Sequence, residues 1–67
     1  MNITELMQDI DGMRDHEGIT INELCRRSGV SRKTYTFWVK GKIVPNMSAL
    51  NAVLEALDIV LIPFKIV

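Results

Sequence analysis

The residues of this 67-residue chain best equipped for chemistry lie in one stretch, GVSRKTYTFWVKGK, residues 29–42. Arg32, Lys33, Lys40 and Lys42 donate hydrogen bonds without accepting them, Thr36 does both, and Phe37 and Trp38 add two adjacent aromatic rings. Donors gathered this way suit an anionic ligand better than a reaction. The chain has a single His and a single Cys, His16 and Cys25, and no cluster at metal-ligand spacing. No catalytic residue, metal or cofactor is therefore expected, and Cys25, on an apolar helix face, reads as core.

The net charge is zero, but it is segregated along the chain. Six of the eight basic residues (Arg26, Arg27, Arg32, Lys33, Lys40, Lys42) fall between Leu24 and Leu54, a window with no acid, and six of the eight acids precede it. A fold of this chain should present a basic side, the electrostatic footprint a polyphosphate requires, with an ordinary solvated charged surface as the bland alternative. A lone cysteine forms no internal disulfide, neither end reads as a signal peptide, and the apolar run 59–64 is too short to span a bilayer. A cytoplasmic protein with no membrane partner is the expectation.

Positioning these side chains requires helices. Ile3, Leu6, Met7, Ile10 and Met13 recur at three- and four-residue steps, so a first helix is predicted from Asn2 to His16, capped by Asn2 with Glu5 and stopped at Gly18. Thr20 with Glu23 reads as a second capping box opening a short helix that ends at Ser28-Gly29. Gly29 supplies a left-handed turn, Val30 fills the corner, and Ser31 caps a third helix running to about Lys40, with Gly41 as its stop. Asn46 caps a fourth helix, carrying Met47, Leu50, Val53, Leu54 and Leu57 inward and ending near Asp58. The last residues, IVLIPFKIV, lack helical period, are β-branched and carry Pro63, and predict an extended strand.

At about 100° per residue, Tyr35, Trp38 and Val39 share one side of the third helix, while Arg32, Lys33, Thr36, Phe37 and Lys40 share the other. The first set belongs to the core; the second faces outward, and is basic. A short helix, a tight turn through Gly and Val, and a second short helix with a basic outer face form the layout of a helix-turn-helix. On ITINELCRRSGVSRKTYTFWVKGK, with Leu24 and the small Cys25, Gly29-Val30-Ser31 at the turn, Lys40-Gly41-Lys42 beyond it, and Pro45 before the next apolar helix, the chain resembles the lambda-repressor/Cro-like (Xre-type) DNA-binding family. The resemblance covers about Leu6 to Ile59.

That resemblance implies an all-α bundle of four to five helices, and a regulator, a repressor in most such cases, that binds an inverted-repeat operator in double-stranded DNA as a homodimer. It assigns base reading to Arg32, Lys33, Thr36 and Phe37, and phosphate binding to Thr20, Ser31, Lys40, Lys42 and Asn46. Arg and Lys can grip guanine, and a Phe edge can pack on a thymine methyl. For Phe37 a place under a neighbouring loop or subunit stays open. Arg26 and Arg27 equally suit the negative end of their helix. Two positions depart from the family pattern: Ile21 stands where many members have Gln, and Val39 where many have Glu, so the hydrogen bond of that Glu should be replaced by packing.

Residues 1–58 are expected to form the DNA-binding domain, and 59–67 a dimerisation element in which Ile59, Leu61, Phe64 and Ile66 pair across a twofold axis. The competing class is a protein-interaction module, such as an antitoxin whose main partner is a toxin. Such a module has no use for Arg32, Lys33, Lys40 and Lys42 together.

Overall fold

The computed structural model describes residues 2–60. Its helices are α1 (Ile3–His16), α2 (Ile21–Ser28), α3 (Arg32–Val39) and α4 (Met47–Ala56). Each begins at the polar residue expected from sequence. Asn2, Thr20, Ser31 and Asn46 all have extended backbones, and each side-chain oxygen accepts from the amide three residues on, at 2.8–3.1 Å. An N-cap of this kind satisfies a donor that the helix itself leaves unpaired, and is worth about 1 kcal/mol.

The helix ends follow a similar logic. After α1, α3 and α4 the chain turns through a residue with positive φ (Gly18, Gly41 and Asp58), and the amide after it donates back to the carbonyl five residues earlier. This is the Schellman arrangement. Gly41 is fixed twice over: its φ is +76°, and a Cβ there would stand 3.0 Å from Oγ1 of Thr4 at the start of α1. Asp58 fills the same role with φ 55°, in place of the glycine that fits the site best.

That turn corrects two expectations. α4 stops at Ala56, two residues short of Asp58, because Leu57 and Asp58 form its closing turn. The predicted C-terminal strand is not supported: no strand occurs among the described residues, and Ile59 donates its amide to the Leu54 carbonyl at 2.9 Å. Its β-branched side chain packs against the core as the apolar partner of the helix end. Leu61, Phe64 and Ile66 lie outside the described residues.

The core draws on every helix. Met7 and Ile10 from α1, Leu24 from α2, Tyr35 and Trp38 from α3, and Leu50, Val53 and Leu54 from α4 form one buried cluster, with Pro45 buried at the entry to α4. Tyr35 and Trp38 lie with ring centroids 6.5 Å apart and planes tilted by 58°, within the range favourable to aromatic pairs. They clamp α3 by its inner face and so decide which side chains face out. α2 packs most extensively on α4, and α3 on α1. None of the described helices is long and apolar enough to cross a membrane.

Candidate nucleic-acid interface

The turn between α2 and α3 is three residues long, Gly29 to Ser31. Gly29 has φ +77° and donates to the Cys25 carbonyl, ending α2, and half-buried Val30 packs on the core at the corner. Ser31 accepts from the Thr34 amide at 3.1 Å and donates to the Thr34 hydroxyl at 2.8 Å. α3 is thus launched at a fixed angle from α2, its inner face held by Tyr35 and Trp38.

Arg32 and Lys33 are exposed on the first turn of α3, and Thr36 and Phe37 are half-buried one turn later. Arg32 reaches back so that Nη1 donates to Oδ1 of Asn22 at 3.3 Å, linking the first turns of α2 and α3. The Thr36 hydroxyl donates to the Arg32 carbonyl at 2.8 Å, which leaves its lone pairs as acceptors and its methyl as an apolar surface. The ring of Phe37 has the ammonium of Lys33 at 5.7 Å from its centroid and that of Lys42 at 5.4 Å. Both are cation–π distances. Lys33 and Phe37 are one helical turn apart, whereas Lys42 comes from beyond the helix, returned by the left-handed turn at Gly41.

The remaining phosphate candidates keep usable donors. Thr20 and Asn46 spend only an acceptor oxygen on capping, so the Thr20 hydroxyl proton and the Asn46 amide nitrogen are left for a ligand. Ser31 differs, since its proton goes to Thr34. Lys40 and Lys42 are exposed on either side of Gly41.

Among the described residues, the ion pairs are Arg14 with Asp11 and Arg26 and Arg27 with Glu23. Glu23 does not close the capping box that Thr20 opens. Its carboxylate instead takes both arginines, and their hydrogen bonds hold its pKa down to about 2. Arg26 and Arg27 are thereby partly neutralised, while Arg32, Lys33, Lys40 and Lys42 belong to no ion pair among the described residues.

Behind α3 lies a polar tie that sequence reasoning missed. The hydroxyl of fully buried Tyr35 donates to Oδ1 of Asp11 at 2.8 Å, and the same oxygen accepts from Nε of Arg14, also at 2.8 Å. Nη1 of Arg14 donates in turn to the Ile19 carbonyl at 2.6 Å. Burial, and then the bond to Asp11, push the Tyr35 hydroxyl well above its ordinary pKa. Burial works to raise the Asp11 carboxyl, but its hydrogen bonds to Arg14 and Tyr35 outweigh that and hold it below the ordinary value. Val39 is half-buried and packs against the core, as expected from sequence, and a hydrogen bond from one turn earlier also ties α3 to α1. The signal was the pair Asp11 and Arg14, three residues apart on one helix. Asn22 carried no such signal, because its partner lies ten residues away.

Two short helices joined by a tight turn, the second with a basic outer face and an inner face locked into the core, define a DNA-binding helix-turn-helix domain. A helix-turn-helix family model matches residues 12–61, and the chain belongs to that family, of Cro/C1 or Xre-like type. The family is one of DNA-binding domains rather than enzymes, and the protein is a DNA-binding regulator. No match to the chain was found among curated proteins or among solved structures.

Proposed function

We propose that the protein is a transcriptional repressor that binds an inverted-repeat operator as a homodimer. Arg32, Lys33, Thr36 and Phe37 read base edges, and Thr20, Lys40, Lys42 and Asn46 hold phosphates, with Ser31 acting mainly as the cap that aims α3. The observation that carries this reading is the exposed basic face of α3 and the loop after it, whose cations form no ion pair among the described residues, whereas Arg26 and Arg27 of α2 already share a carboxylate. Residues 1–58 serve as the DNA-binding domain.

Dimerisation is supported by apolar surface along α4. Met47 is 76% exposed and Val60 80%, and together with Leu50, Leu54 and Ile59 they line a groove along α4. Residues 59–67, of which Ile59 and Val60 line that groove, serve as the dimerisation element. The same groove is where a protein partner such as a toxin would sit in the alternative reading.

Arg32→Ala tests the assignment. It should cost about 1–3 kcal/mol per half-site on the cognate operator and little on random DNA, since only the cognate base loses a partner. An Arg32→Ala protein that stays folded and binds operator and random duplex in the wild-type ratio would refute groove reading by α3. Footprinting should show two half-sites roughly 34 Å apart, centre to centre.

A further inference from the structure

The geometry points to a half-site in which a C5-methylated pyrimidine lies beside a guanine, the methyl packed on the ring of Phe37 and the guanine held by Lys33. The inference rests on the DNA-reading assignment of α3 proposed above. It starts from the cluster on that face: the Phe37 ring with Lys33 Nζ at 5.7 Å and Lys42 Nζ at 5.4 Å.

An apolar ring flanked by ammonium groups makes two demands on the surface it meets. The ring needs an apolar patch, and in the major groove the pyrimidine C5-methyl is the patch available. Thymine carries it, and so does 5-methylcytosine. The ammonium needs acceptors, and guanine offers O6 and N7 together, whereas adenine sets an N6 donor beside its N7. The spacing agrees. A methyl in contact with the ring sits about 4 Å from it, and neighbouring base pairs are about 3.4 Å apart. An ammonium held 5.7 Å from the ring centre is therefore within reach of the pair next to the one bearing the methyl.

Lys42 completes the division of labour. It leaves the ring for a phosphate when DNA arrives, and Phe37 exchanges that cation for the methyl. Lys33, on the helix itself, stays in the groove. Cytosine methylation thus becomes something this face can detect: unmodified cytosine offers the ring nothing, and its C5-methyl restores the contact that thymine makes.

The test begins with selection of duplexes from a random library by the full chain. The expected consensus has a thymine adjacent to a G·C pair. Thymine is then replaced by uracil, and separately by cytosine and by 5-methylcytosine, with binding followed by fluorescence anisotropy. Uracil should weaken binding roughly three- to fivefold per half-site, the worth of one buried methyl, and 5-methylcytosine should regain about the same factor over cytosine. Replacing the guanine by 7-deazaguanine, which lacks the N7 acceptor, should cost the wild type about tenfold and Lys33→Ala almost nothing.

A consensus without the methyl–guanine neighbour overturns the inference while leaving groove reading by α3 intact. So does a site where thymine equals uracil, where 5-methylcytosine equals cytosine, or where 7-deazaguanine is tolerated by the wild type. A selection that enriches no sequence refutes the DNA-reading assignment itself, and this inference falls with it.

Discussion

Replacing Tyr35 by Phe removes a single hydroxyl from a fully buried side chain and leaves the ring to fill its place. The lost bond runs 2.8 Å to a carboxylate, a class of hydrogen bond worth about 1.5–3 kcal/mol. Asp11 is not stranded, since it keeps Arg14 at 2.8 Å and its side chain is 28% exposed, so water can take the vacated lone pair. The penalty should fall at the low end, about 1–2 kcal/mol, which in a domain of this size lowers the melting temperature by roughly 5–15 °C. Thermal unfolding followed by circular dichroism measures it. Two further readings isolate the bond. In an Asp11→Ala background the same substitution should cost almost nothing, because the acceptor is gone. The Asp11 carboxyl is depressed below 3.8 in the folded state, so its contribution is complete above that pH and disappears as pH falls through the folded value. Wild type and Tyr35→Phe should therefore converge in stability on acidification. A penalty that persists in the Asp11→Ala background and at low pH would refute the tie between α1 and α3.

Lys42→Ala should weaken operator and random DNA alike and flatten the logarithmic salt dependence by about 0.9 per lost phosphate contact; a change in sequence preference instead would mean that Lys42 reads bases. Asp58→Gly should stabilise the fold by about 1 kcal/mol, because it relieves a side chain in the left-handed region and removes a negative charge from the negative end of α4. Chemical denaturation checks it, with Asp58→Asn expected to recover part of the gain.

The legible parts of this molecule were those written in neighbouring residues. All four N-caps, the turns at Gly18, Gly29 and Gly41, and the division of α3 into a core face and a basic face follow from local chemistry and helical period. What stayed hidden depends on distance or competition. Asp58 in a glycine-like conformation was masked because α4's apolar pattern runs on through Leu57. Glu23 had two possible uses, as the closing half of a capping box or as counter-ion to Arg26 and Arg27, and the strength of three charged hydrogen bonds decided for the second. The meeting of Lys33 with Phe37 is implied by their spacing, but the return of Lys42 to the same ring is set by the turn at Gly41, which no helical wheel displays.

The self-sufficient ends of the helices bear on how quickly the regulator can be made. Each start, and the turns closing α1, α3 and α4, is satisfied by partners within five residues, so helix boundaries are specified before distant parts of the chain meet. Only the docking of α2 on α4 and of α3 on α1 requires larger loops to close. Helical domains dominated by such near-neighbour contacts fold on the microsecond to millisecond scale. Synthesis at about 5–20 residues per second takes several seconds for a chain of this length. Translation, not folding, then sets how soon a newly induced gene yields folded chains.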